Sequence, residues 1–105
     1  MIWYKELVKG FFTHETKELV HRAQNGYCKN CTERIQSFHH RLPNTKPNRK
    51  NYPLFLVSIF NCVGLCNSCH DRDISQYKVT AGEAQSYEEF LTNIIKAVRS
   101  GKDAI

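Results

Sequence analysis

Apolar residues come in short bursts separated by polar turns, never in a long run. Trp3 and Leu7 fall at helical spacing before Gly10 interrupts, which predicts a first short helix. Leu19, Val20 and Ala23 give one apolar side to a second helix over roughly 14–24. Thr13 is placed as its N-cap and Asn25-Gly26 as its stop. Residues 35–40 and 61–65 read as two short strands, and 67–77 as a helix between the second strand and the C-terminal part. The connection over 41–60 holds all three prolines and no glycine, so its first part is expected to be irregular. Its apolar end, 54–60, fits a strand, a helix or a packed loop equally well. Ser86-Tyr87-Glu88-Glu89 reads as a capping box opening a last helix over 86–100. In that helix Phe90, Leu91, Ile94, Ile95 and Val98 form one stripe. The stripe covers the core or pairs with a second copy.

With 105 residues the chain has room for one small domain, and a core of that size is only marginally stabilising. The expected layout is a single domain over 1–105, with N-terminal helices in 1–26, a central unit over 28–77 and the C-terminal helix 86–100. No segment reaches the ~20 apolar residues that span a bilayer, and the first residues do not read as a signal peptide. The expectation is a cytoplasmic protein. Five cysteines in a reducing compartment then need a role other than disulfides. Four of them form two C-x2-C pairs, Cys28 with Cys31 and Cys66 with Cys69. Two such turns complete a tetrahedral thiolate site for a structural Zn²⁺, which adds folding free energy that a short chain can use. Cys62 is left as an ordinary buried thiol.

Charge sharpens the picture. Net charge is +5, and from Arg34 to His70 there is no Asp or Glu. The stretch HHRLPNTKPNRKNY carries Arg41, Lys46, Arg49 and Lys50, a loop suited to phosphate backbones. It begins at His39-His40, at the end of the first predicted strand. His70 directly follows Cys69, and Asn61 opens the second strand. One zinc would clamp both strands and the following helix, bringing His39, His40 and His70 to one edge. Adjacent strand residues face opposite ways, so both His39 and His40 address one site only if the strand ends there. Arg72 is a further candidate phosphate contact. His14 and His21 share one face of the second helix and are read as surface residues.

The pattern Cys28-x2-Cys31, His39-His40, Asn61, Cys66-x2-Cys69-His70 resembles the zinc-bearing HNH endonucleases with their ββα-metal motif. The resemblance spans about 28–77. It implies an α+β fold: a small ββα-metal core stapled by the four-cysteine zinc site, with flanking N- and C-terminal helices. It implies a DNA endonuclease or nickase hydrolysing phosphodiesters with one divalent cation. His39 and His70 would be the cation's ligands, His40 the general base and Asn61 the asparagine that tethers the loop. Many members have Asp where this chain has His39, so Mn²⁺, Ni²⁺ or Co²⁺ competes with Mg²⁺. The partner implied is double-stranded DNA, with specificity supplied by another protein if at all. A second reading is a non-catalytic zinc-ribbon or zinc-finger module that binds nucleic acid. A third is a zinc-stapled protein-interaction domain using the C-terminal stripe.

Overall fold

A computed structural model describes residues 9–99. The helix expected around Trp3 and Leu7 lies outside these residues. Helix α1 spans His14–Ala23 and starts where expected: the Thr13 hydroxyl accepts the Thr16 N–H at 3.1 Å. It stops at Asn25 and Gly26, both in the left-handed region, with φ 56° and φ 78°. A left-handed residue just past the last turn is a common way for a helix to end. The chain then turns through the first cysteine pair. This turn is closed by a Tyr27–Arg34 bridge and by the Cys28 N–H on the Glu33 carbonyl at 2.7 Å.

Strand β1 (Ser37–His40) pairs antiparallel with β2 (Cys62–Leu65), with His39 opposite Val63 and His40 opposite Cys62. Both strands are shorter than the sequence suggested. Ile35 closes the cysteine turn through its N–H on Gly26, and Asn61 ends a one-turn 3-10 helix, Ile59–Asn61. Side chains alternate between faces, so the two-stranded sheet has two different sides. Val63 and Leu65 pack with Cys28, Cys66 and Cys69 on one side. Phe38 and Cys62 pack with Phe12 and Val20 on the other.

The connection over 41–60 is more ordered than its prolines suggested. It contains α2 (Lys46–Asn51) and α3 (Pro53–Leu56). Pro47 and Pro53 stand in first turns, where a missing N–H costs nothing, so they open helices here. The second cysteine pair leads into α4 (Asn67–Asp73), which continues as a 3-10 turn over Ile74–Tyr77 rather than as one helix to residue 77.

Helix α5 runs over Ala81–Arg99, starting earlier than the Ser86 box implied. The capping box that forms is Thr80 with Glu83. The Thr80 hydroxyl accepts the Glu83 N–H at 3.1 Å, and the Glu83 carboxylate accepts the Thr80 N–H at 3.2 Å. Ser86 is therefore inside the helix. Glu88 reaches across the fold instead. Its carboxylate accepts the Leu54 N–H at 3.2 Å and the Phe55 N–H at 2.8 Å. These are open donors at the start of α3, which Glu88 thereby caps. Burial pushes the Glu88 carboxyl above its usual range, and the two N–H donors pull it back. Only part of the predicted stripe is covered. Leu91 packs against the cluster of Leu42, Phe55, Leu56, Val79 and Ala84, while Phe90, Ile94 and Val98 remain exposed.

Among the described residues the apolar side chains thus form three small clusters rather than one large core. Among the described residues, no helix is long and apolar enough to cross a membrane. Thr80→Ala should lower stability by about 1 kcal/mol through loss of the cap. Ser86→Ala should change it by less than about 0.5 kcal/mol. Urea unfolding of the two variants checks this, and equal losses would contradict the helix start.

Candidate metal centre and histidine cluster

The two C-x2-C turns meet. The thiols of Cys28, Cys31, Cys66 and Cys69 all lie within 4.8 Å of one another, and all four are free. The Cys31 and Cys66 Sγ atoms are 3.7 Å apart. That matches the ~3.8 Å edge of a tetrahedron with metal–sulfur bonds of ~2.3 Å. The donor set and its spacing fit Zn²⁺ in a closed structural site. Cys28, Cys66 and Cys69 are buried and Cys31 faces solvent.

Outer partners orient these sulfurs. The Asn30 N–H donates to Cys28 Sγ at 3.5 Å and the Glu33 N–H to Cys31 Sγ at 3.4 Å. Asn30 Nδ2 reaches Cys69 Sγ at 3.9 Å, and the Tyr77 hydroxyl donates to Asn30 Oδ1 at 3.3 Å. Burial pushes the Cys28 thiol up, but backbone hydrogen bonds at Cys66 and Asn30 and the neighbouring thiols hold it at about 6. Cys69 is pushed up to about 12, first by burial and then by the three thiols around it. Four thiols this close resist ionising together, and a divalent cation relieves that conflict. Cys62 lies outside the cluster, as expected: buried, and pushed up to about 12 by that burial.

The cysteine centre holds the start of α4 against the sheet, and this positions the histidines. The His39 and His70 rings are stacked, with centroids 3.6 Å apart and planes 10° from parallel. Imidazole lone pairs lie in the ring plane, so rings this close to parallel would have to turn before their nitrogens met one cation. Ser37 Oγ sits 2.5 Å from His39 Nε2, and the Asp71 carboxylate 3.5 Å from His70 Nδ1, leaving a second nitrogen on each ring. Burial, then His70 and His40, lower the His39 pKa from its ordinary value, while Asp71 opposes them.

His40 is the last residue of β1 and faces the other way, so of the three histidines expected at one edge only His39 and His70 come together, because adjacent strand residues point to opposite faces. Its ring stacks on Phe12, with centroids 4.0 Å apart, and its Nε2 is 2.6 Å from the Gly10 carbonyl. A carbonyl only accepts, so Nε2 carries the proton and Nδ1 is left as the basic atom. Burial lowers the His40 pKa below its ordinary value of 6.5, and the Gly10 carbonyl partly reverses this.

Asn61 is fully buried and fully bonded. Its Oδ1 accepts the Leu42 N–H at 2.6 Å, and its Nδ2 donates to the Leu42 carbonyl at 3.2 Å and the Leu56 carbonyl at 2.9 Å. One side chain thus ties the backbone just after His40 to the end of α3.

The cations divide. Arg41 turns inward, donating to the Tyr77 and Phe60 carbonyls at 2.9 Å each. Arg49 donates to Asn44 Oδ1 at 3.0 Å. Lys46 and Lys50 stand exposed on α2, and Arg72 is exposed on α4. His14 and His21 are exposed on α1, as expected. The supporting residues Gly10, Phe12, Ser37 and Asn44 were not anticipated. Each meets its partner through the tertiary fold or a local turn, which leaves no pattern in the sequence.

Comparison with protein-family models, with curated proteins and with solved structures finds no match to this chain.

Elemental analysis of the purified protein should give one zinc per chain, and chelation should unfold it rather than leave a folded apo form. A folded, metal-free protein would contradict this. Asn61→Leu should cost about 3 kcal/mol, because the Leu42 N–H is stranded in the interior. Urea titration against the parent measures it.

Proposed function

We propose that this chain is a metal-dependent DNA endonuclease or nickase of the HNH type, hydrolysing phosphodiesters with His40 as general base. The observation that carries this reading is the arrangement at the end of β1. There His39, stacked on His70, and His40, held by the Gly10 carbonyl, are the last two residues of β1, so a phosphate would have to lie across the strand end to meet both. The unaided zinc-module reading requires neither feature.

His40 takes the proton of the attacking water at Nδ1, a step typically worth about 10²–10⁴-fold. The ring is held by Phe12 and Gly10, so little orientation is lost when water arrives. Asn61 acts at one remove by fixing the backbone that follows His40. His39 and His70 would hold a divalent cation, and a two-imidazole donor set suits Mn²⁺, Ni²⁺ or Co²⁺ beside Mg²⁺. When bound, that cation supplies charge stabilisation at the phosphate and the leaving oxygen. Lys46, Lys50 and Arg72 supply sequence-independent affinity for the DNA backbone. Arg41 and Arg49 contribute chiefly through the contacts they make inside the protein. Cys28, Cys31, Cys66 and Cys69 hold a structural Zn²⁺ that takes no part in the reaction.

The zinc-protein reading without catalysis rests on the cysteine cluster alone. Incubation with supercoiled plasmid separates the two. The parent protein should nick or cut it in at least one of Mg²⁺, Mn²⁺, Ni²⁺ or Co²⁺, and EDTA should stop it. His40→Ala should lower the rate at least ~100-fold with zinc content unchanged. Because the His40 pKa is lowered, the base is lost only as pH falls below the ordinary 6.5, and the acid limb of the rate profile should lie there. An intact plasmid with every cation favours the binding module.

A further inference from the structure

Residues 9–12 form a strap across His40. The strap is held from below by a side chain with no role so far. Asn44 Nδ2 donates to the Lys9 carbonyl at 3.0 Å. The next residue, Gly10, has φ 75°, and a Cβ there would collide with the Asn44 amide. Glycine is therefore required on two counts. The Gly10 carbonyl accepts the His40 Nε2–H, and the Phe12 ring covers the imidazole face. Asn44 is fixed in turn by Arg49, whose Nη1 donates to its Oδ1 at 3.0 Å and lies 3.4 Å from its carbonyl oxygen. Asn44 follows closely after His40, on the loop that leaves β1. The chain therefore closes on itself: His40, its own downstream loop, Asn44, the strap, and back to His40.

We infer that Asn44 and Arg49 are positioning residues for His40, latching the strap so that the Gly10 carbonyl holds the imidazole as its Nε2–H tautomer with Nδ1 open. Arg49 then acts through Asn44 and not through phosphate. Both bonds leave the one nitrogen Nη1, whose two N–H groups are fixed in the guanidinium plane and so are aimed at the amide oxygen and the backbone oxygen of one residue. A lysine keeps the charge and loses that fixed aim. The kinetic consequence rests on the nuclease reading; the tautomer does not.

The test uses the full-length, zinc-loaded protein and two mild variants, Asn44→Asp and Arg49→Lys. Asn44→Asp keeps an oxygen for Arg49 but loses the donor to Lys9. Long-range ¹H–¹⁵N NMR of the histidine rings should show His40 as the Nε2–H tautomer in the parent and as a mixture in both variants. Plasmid cleavage should lose about 10–100-fold in kcat, the scale of a misplaced catalytic group, with KM within about twofold. Zinc content confirms the fold, and if Asn44→Asp fails to load zinc, Arg49→Lys decides. An unchanged tautomer and kcat in Arg49→Lys, with KM raised only in Arg49→Ala, would make Arg49 a phosphate contact and overturn the latch. If the parent cuts no DNA, the nuclease reading fails, and the tautomer measurement decides the latch by itself.

Discussion

Two cysteine turns, one on each side of the hairpin and its long connection, meet within 4.8 Å in space. Everything between them inherits its position from that meeting. The apolar clusters are small, and none by itself would hold the hairpin, the loop and α4 in one arrangement. A tetrathiolate site does so with four bonds to one point, and its binding energy exceeds what one such cluster supplies. The N–H groups of Asn30 and Glu33 on two of the sulfurs, with Tyr77 holding the Asn30 side chain, show that the thiols are aimed, not merely buried.

The hairpin converts this anchor into two separate environments. Strand alternation sends His39 toward α4 and His40 toward the strap, although they are neighbours in sequence. On the first side, packing against His70 and a hydroxyl from Ser37 set the ring. On the second, an aromatic face and a backbone carbonyl do so. Burial lowers the proton affinity of both rings below that of a free imidazole, so both are neutral near pH 7. Asn61 ties the backbone beyond His40 to the end of α3.

Charge divides between the interior and the surface in the same way. A stretch of the chain free of acids favours a basic surface, yet Arg41 turns inward to two backbone carbonyls and Arg49 folds back onto Asn44. Arginine suits that role because its fork reaches two acceptors at once. The lysines on α2, with a single point charge on a long stem, stay in water.

Much of this was legible from sequence, and the legible part has a common character. The Thr13 cap, the Asn25-Gly26 stop, the two cysteine turns and the order strand, strand, helix are all local, because each depends on residues within one or two turns of one another. The spacing of the cysteines also carried their meeting, since two matched pairs are complementary halves of one coordination geometry. The start of α5 was legible too, in Thr80 and Glu83. It was obscured by a second match at Ser86 and by Gly82. Tertiary structure alone decided that Glu88 caps a different helix and that Arg41 faces inward. It also decided that His40 leans on the carbonyl of Gly10, far upstream in the chain. A hydrogen bond between distant residues needs only a free donor and a free acceptor. Every backbone carbonyl qualifies as an acceptor, so the chain carries no mark of which one will be used until packing brings the two together.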